Sequence, residues 1–151
     1  MKKSILMLIV LCGLLLSGCA KSSKQAVYTG PPLNDVEFAK KVFQLLGDGD
    51  EMVKAMIDWE RLKMMGIDVG AMYRGTSGDD ARDRETTAFI KSYSRSFKSK
   101  GGNVETLSNW REQSRDATNT VVASDSQMGQ LLLITVSHLN GQQKVSVVEL
   151  K

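Results

Sequence analysis

The stretch LLLITVSHLNGQQKVSVVEL, residues 131–150, decides the fold because it contains two strand-like runs separated by Asn140-Gly141. Asn-Gly between alternating apolar and polar residues is typical of a two-residue type I′ turn, which joins two antiparallel strands. The turn also predicts the register of the hairpin. The predicted pairs are Leu139 with Gln142, Val136 with Val145 and Ile134 with Val147.

Alternation with a period of two predicts four strands in the second half of the chain, at residues 104–113, 119–124, 130–139 and 142–150. One face of the last two strands is apolar and is expected to face helices. The residues on that face are Leu132, Ile134, Val136, Val145 and Val147. The opposite face mixes apolar with polar side chains, so we expect a partner, or the protein itself, to cover part of it.

Helical periodicity predicts three helices before the strands. The first spans residues 35–46, with Asn34 and Glu37 forming a capping box and Gly47 ending it. The second runs from the cap Asp50 to residue 65, and the third spans residues 80–99. Helices followed by an antiparallel meander indicate an α+β fold, with three N-terminal helices packed on a four-stranded antiparallel sheet.

The first 18 residues have the features of a secretory signal peptide. Lys2 and Lys3 precede an uncharged apolar run that ends at Leu16, and the small residues Ser17 and Gly18 follow it. The run is shorter than the roughly 20 apolar residues that a membrane-spanning helix needs. We therefore expect residues 1–18 to be removed, which takes the formal net charge from +3 to +1 because Lys2 and Lys3 are lost. The remaining charge gives no indication of nucleic-acid binding.

The segment Leu16-Ser17-Gly18-Cys19 resembles the lipobox of bacterial lipoproteins. The resemblance implies that the Cys19 thiol receives a diacylglyceryl group, that cleavage falls before Cys19, and that the new amino terminus receives a fatty acyl chain such as palmitate. Cys12 would be removed with the signal. Ala20, where an aspartate would favour inner-membrane retention, implies the outer membrane facing the periplasm. The alternative is an ordinary secretory signal in which the cysteine lies near the cleavage site by chance.

The mature chain is expected to begin with a lipidated tether over residues 19–33, followed by one domain over residues 34–151. The tether is polar and ends in Gly30-Pro31-Pro32, a composition that does not fold by itself. By its order of elements, residues 34–150 resemble the nuclear-transport-factor-like or cystatin-like rolls of small bacterial lipoproteins. Such rolls hold a pocket between helices and sheet, which serves enzymes, ligand binding or only packing.

Four residues are candidates for lining such a pocket. Glu60 would lie within the apolar stripe of the second predicted helix, and perturbed carboxylates of this kind concentrate at functional sites. The other possibility is that Glu60 pairs with Lys63, Arg61 or Arg74 as part of the scaffold. The aromatic candidates are Trp59, Tyr93 and Trp110, although large aromatic residues at pattern positions also serve as core.

The remaining candidates favour structural roles. His138, the only histidine, is predicted to lie opposite Gln143, half-exposed near the hairpin turn and without a catalytic partner. One histidine and no free thiol leave only carboxylates as further ligands, which disfavours a metal site, and residues 48–59 lack the ligand spacing of a calcium loop. Lys91, Arg95 and Lys98 form a basic helix face that could contact lipid headgroups, but that is also typical of a solvated surface.

These observations predict a non-enzymatic, lipid-anchored periplasmic protein that binds a protein or small apolar ligand, or supports an envelope assembly. No cofactor is expected. Two alternatives stay open: an enzyme of the same roll with Glu60 or Asp58 as base, and a lipid-binding protein. An apolar cavity long enough for acyl chains would indicate the latter.

Overall fold

The computed structural model describes residues 27–151, which form an α+β fold, as predicted. Three α-helices and two 3₁₀ helices accompany six strands in this part of the chain. The α-helices are α1 (Asp35–Asp48), α2 (Val69–Gly75) and α3 (Asp79–Ser99), and the 3₁₀ helices are Glu51–Met56 and Val104–Thr106. The strands are β1 (Lys63–Met64), β2 (Ile67–Asp68), β3 (Ser108–Arg115), β4 (Asn119–Asp125), β5 (Leu131–Leu139) and β6 (Gln142–Leu150).

The strands form one mixed sheet in the order β2-β1-β6-β5-β4-β3. The antiparallel meander from β3 to β6 is present, but the prediction of a four-stranded sheet was wrong. Two short strands extend the sheet beyond β6: β1 runs parallel to β6, and β2 pairs with β1 in the antiparallel sense. They cover the edge that β6 would otherwise leave open to other strands.

The hairpin between β5 and β6 has the predicted turn, with φ of 50° at Asn140 and 76° at Gly141. The pairs Leu139–Gln142 and Val136–Val145 are confirmed. The third pair was wrong, because an irregularity between Thr135 and Val136 shifts the register, so that Ile134 pairs with Val148. Val148 is therefore fully buried where Val147 was expected in the core.

Helix α1 begins with the predicted capping box. The Asn34 side chain accepts the backbone N–H of Glu37 at 2.9 Å, and the Glu37 carboxylate accepts the N–H of Asn34 at 3.3 Å. The helix continues past Gly47, the predicted end, to Asp48, and Gly49 terminates it in the left-handed conformation. Its apolar face packs on all four meander strands and supplies much of the core, including Phe38, Ala39, Val42 and Leu46.

The second predicted helix, residues 50–65, is wrong except for its start. Asp50 caps a 3₁₀ helix by accepting the N–H of Met52 at 2.9 Å. The chain then becomes extended at Ile57, which bridges to Val145 of β6, and the backbone N–H of Asp58 donates to the Val145 carbonyl at 2.9 Å. Hydrogen bonding to the sheet edge therefore replaces continuation of the helix in this segment.

Helix α3 matches its prediction closely but packs mainly on α1. Its buried residues Thr86, Ile90 and Ser94 lie four positions apart, and Ser94 Oγ donates to the carbonyl of Gly47 at 2.7 Å. The meander, α1 and α3 are thus three successive layers. The chain after α3 was predicted to be extended from residue 104, but Asn103 caps a 3₁₀ turn there and β3 begins at Ser108.

Candidate functional site

A buried carboxylate, Asp35, collects donors from every strand of the meander at the start of α1. Arg115 ends β3, Thr120 lies on β4, His138 on β5 and Gln143 on β6. We call these five residues the Asp35 cluster. Asp35 is the first residue of α1, a position where the helix dipole also favours negative charge.

The contacts in the Asp35 cluster use both carboxylate oxygens. Thr120 Oγ1 donates to Oδ2 at 2.6 Å and Arg115 Nη2 lies 3.0 Å from the same oxygen. Gln143 Nε2 donates to Oδ1 at 2.7 Å, and His138 Nε2 lies 3.1 Å from each oxygen. The side chain of Asp35 is only 4% exposed. Four donors therefore compensate one desolvated charge.

The balance of these effects lowers the pKa of Asp35 below its ordinary value. Burial by itself would raise the pKa of this carboxyl, but the hydrogen bonds from Thr120, Gln143 and His138, with the charge attraction of His138, outweigh it. The ionised form is thus the favoured one. A carboxylate with this environment accepts hydrogen bonds well and takes up a proton poorly.

Chemically, the cluster resembles the carboxylate–histidine half of an acid–base site. His138 pairs with Gln143 across the hairpin, as predicted, and its ring also contacts Asp35, a partner that the sequence did not indicate. Its side chain is 38% exposed, so one ring nitrogen is held by Asp35 while the ring edge reaches solvent. The one hydroxyl of the cluster, on Thr120, is fully buried and donates to Asp35, and the cluster has no serine or cysteine to serve as a nucleophile.

Two further charged side chains, Asp58 and Lys144, are buried where the 3₁₀ helix Glu51–Met56 meets β6. Arg61 Nε lies 2.5 Å from Asp58 Oδ2, and the Asp58 side chain is 6% exposed. Lys144 of β6 is also buried, and its Nζ donates to the carbonyl oxygen of Ala55. Burial lowers the pKa of Lys144, while the charge of Asp58 opposes that shift. Asp58, one of the two bases that the enzymatic alternative named, is therefore buried and held in an ion pair.

Trp59 and Tyr93, two of the predicted pocket residues, belong to an aromatic cluster between α2, α3 and α1. Trp59 is buried, and its indole N–H donates to the carbonyl of Lys54 at 3.0 Å. Phe89 links the two, packing edge-on against Trp59 and stacking on Tyr93 with ring centroids 6.4 Å apart. Burial raises the pKa of Tyr93 to about 12. These rings fill space between helices.

The other two predicted pocket residues lie apart from that cluster. Glu60 is exposed, so its expected place in an apolar stripe was wrong: the helix that would have placed it there ends at Met56. The backbone carbonyl of Glu60 accepts a bond from Arg74, one of its expected partners. Trp110 lies on β3, and its indole nitrogen is buried without a hydrogen-bond partner among the described residues. The fold does not bring the four residues into one site.

The predicted basic face of α3 is partly engaged. Lys91 Nζ lies 3.3 Å from a Glu51 oxygen, and Lys98 Nζ donates to the carbonyl of Asp48 at 3.2 Å. Both partners belong to the segment around the α1 terminus. These contacts fit a solvated face that also helps to hold α3 in place.

Sequence reasoning missed Asp35 because its local context explained it fully as an acidic residue in a first helical turn. The partners that give it a further role lie 80 to 108 positions away, as the separations to Arg115 and Gln143 show. The available signal was weak: His138 and Gln143 were expected to lie opposite each other near the hairpin turn. Nothing in their pattern indicated which helix end would lie beside them.

The described residues hold no group of three or more potential metal-ligating side chains. Within residues 27–151, no helix combines the length and the apolar character that crossing a bilayer requires. The predicted signal peptide, the lipobox-like segment and Cys19 lie outside the described residues. Comparisons of the chain with models of protein families, with curated proteins and with solved structures found no match.

Proposed function

We propose that this chain is a non-enzymatic lipoprotein of the bacterial envelope. Acyl chains on Cys19 anchor it in the outer membrane on the periplasmic side. The α+β domain is presented from that anchor and binds an envelope protein or a small apolar ligand. The likeness to nuclear-transport-factor-like and cystatin-like rolls is part of this proposal.

The observation that supports a non-enzymatic role is the saturation of the Asp35 cluster. Its Asp35–His138 pair is the most enzyme-like arrangement among the described residues, yet the carboxylate accepts four donors and its pKa is lowered. In such a pair the histidine would act as the base and the carboxylate would orient it. The cluster gives that histidine no free nucleophile, because the Thr120 hydroxyl is buried and donates to Asp35. The contacts of Asp35 instead favour a role in joining α1 to the meander.

The lipobox and the length of the tether support the anchored role. Residues 19–33 reach at most about 50 Å when fully extended, so the domain stays close to the membrane surface. Two or more acyl chains hold a protein on a bilayer firmly, whereas a single chain holds it only marginally. Confinement to this thin layer raises the effective concentration of the domain toward other envelope components.

The experiment compares Cys19→Ser with Cys12→Ser, a cysteine in the segment that is expected to be removed. Cells would be fed an alkyne analogue of palmitate and fractionated into soluble, inner-membrane and outer-membrane material. The intact protein and Cys12→Ser should carry the label and enter the outer-membrane fraction. Cys19→Ser should carry no label and accumulate as uncleaved precursor. Normal processing and membrane attachment of Cys19→Ser would refute the proposal.

A further inference from the structure

A small lobe, residues 60–75, projects three apolar side chains into solvent at the end of the sheet that carries β1 and β2. We call it the Met72 lobe. Met65 is 39% exposed, Ile67 60% and Met72 62%. Leu150, 42% exposed, lies at the adjoining end of β6, where the N–H of Met65 donates to the Val148 carbonyl at 2.8 Å.

The backbone of the Met72 lobe is held by its own hydrogen bonds, so these side chains do not belong to a loose loop. Gly70 N–H donates to the Leu62 carbonyl at 2.8 Å, and the Asp68 side chain accepts the N–H of Ala71 at 2.8 Å. Arg74 donates to the carbonyl of Glu60, which ties the two ends of the lobe together. A groove of about 220 Å³ separates the lobe from the end of β6, with Ile67 and Val148 in its walls.

The charges around the lobe suit a phospholipid surface. Arg61 and Arg74 are half-exposed, and Lys63 is exposed at the start of β1. Their long side chains can cover apolar atoms while the cationic ends reach lipid phosphates. Glu60 of the lobe is exposed too, and Arg61 already lies 2.5 Å from Asp58. Asp68 lies 3.8 Å from Arg74 and Glu149 lies 3.8 Å from Lys151, so positive and negative side chains balance around the lobe, as the zwitterionic headgroups of phospholipids permit.

The position of the tether allows this lobe to meet the anchoring membrane. Gln143, beside the hairpin turn, donates to the carbonyl of Leu33 at 3.1 Å, so the tether enters at that end of β6. The lobe lies toward the opposite end, where Met64 pairs with Val148. The nine residues of β6 span about 30 Å. Because Tyr28 packs on Phe38, residues 19–27 are left to span to the membrane, and at full extension they reach about 30 Å, which is comparable to that distance.

We propose that the Met72 lobe inserts Met65, Ile67 and Met72 into the interface of the phospholipid layer that anchors the chain. The domain would then lie against the membrane in one orientation, with the groove beside the headgroups. This inference rests on the proposed lipid anchor. Its energetic basis is the burial of exposed apolar area together with contacts between the cationic side chains and phosphate.

The test uses the full mature lipoprotein in vesicles of phosphatidylethanolamine and phosphatidylglycerol. Because Cys19 would carry lipid, Met72→Cys introduces a single free thiol for a polarity-sensitive fluorophore. Met128→Cys is the matched control, since Met128 is 87% exposed in the turn between β4 and β5. Quenching by lipids with a spin label on the acyl chain reports contact with the bilayer.

We expect quenching and a blue shift at position 72 and neither at position 128. Adding Ile67→Asp should reduce quenching at position 72 by roughly half or more, because a charge opposes insertion. Circular dichroism would check that this variant is folded. Equal responses at both positions, or none at position 72 in vesicle-bound protein, would overturn the inference. A blue shift at position 72 that depends on protein concentration without vesicles would instead indicate a contact between copies, and would also overturn it.

Failure of the anchor gives a different result, because the protein would not float with the vesicles. In that case a histidine tag placed before Ala20 and a nickel-chelating lipid replace the anchor. The same quenching comparison between positions 72 and 128 then still tests the lobe.

Discussion

Asp35 connects the first helix to all four strands of the meander through one side chain. Thr120 is fully buried beside it, while Arg115 and His138 close the cluster toward solvent. Removing the carboxylate would leave the buried Thr120 hydroxyl without its acceptor, whereas Arg115 and His138 can bond to water. Such a loss costs more than the net contribution of the hydrogen bonds themselves.

We therefore expect Asp35→Ala to lower the free energy of unfolding by about 1–3 kcal/mol. Urea denaturation followed by circular dichroism measures this change. Asp48→Ala removes an exposed carboxylate from the other end of the same helix and should change the stability by less than about 0.5 kcal/mol. Equal losses in the two variants would show that the Asp35 contacts contribute little.

The contribution of Asp35 to the free energy of unfolding depends on pH in a defined direction. Because the pKa of Asp35 is lower in the folded than in the unfolded chain, its stabilising contribution is complete above the unfolded value of about 3.9 and is lost as the pH falls through the folded pKa. Asp35→Asn keeps the shape without the charge. The difference in unfolding free energy between the parent and Asp35→Asn should therefore narrow as the pH falls below about 4. A constant difference would contradict this assignment.

At the scale of elements, the sequence correctly predicted the helices and turns that contain their own capping or turn residues. The capping box started α1, and Asn140-Gly141 set the hairpin with both residues at positive φ. The segment after Asp50 had equally good helical periodicity, yet it became a 3₁₀ helix followed by extended chain. The free hydrogen-bonding edge of β6 decided that outcome, and it lies about 90 positions away in the chain.

The hairpin turn offers a test of its own conformational requirement. Gly141→Ala should destabilise the protein by about 1 kcal/mol, because a side chain at φ of 76° strains the backbone although the site is open. Gly75→Ala is the control, since Gly75 ends α2 in equally open space without a positive φ. That change should be neutral or slightly stabilising. Thermal unfolding of both variants measures the difference, and equal shifts would contradict the argument.

At the scale of the whole molecule, α1 is the central layer between the sheet and α3. The outer helix is held by the bond from Ser94 to the Gly47 carbonyl and by edge-to-face contacts of Phe43 with Tyr93 and Phe97. Residues preceding α1 add little to this arrangement. The Tyr28 ring meets Phe38 edge-on with centroids 6.1 Å apart, while Pro31 and Pro32 are exposed.

A chain that begins at Pro31 should consequently remain folded. We expect a single cooperative unfolding transition with a stability lower by about 1 kcal/mol, the contribution of one aromatic contact. Tyr28→Ala in the longer chain should give the same loss. A transition that is broad or absent after truncation would show that residues before Pro31 are part of the domain, and would contradict their assignment to the tether.

The amino-acid sequence alone specified the α+β class, α1, α3, the hairpin and most of its register, because caps, turn residues and side-chain periodicity act within a few residues. It also contains the segment Leu16-Ser17-Gly18-Cys19, which resembles a lipobox and on which the proposed membrane location depends. Tertiary contacts decided the conformation of residues 57–75 and the assembly of the Asp35 cluster. They also placed Val148 in the core, where the sequence predicted Val147. In each of these, a buried backbone edge or charge obtained its partner from a distant part of the chain, and that requirement outweighed the local preference.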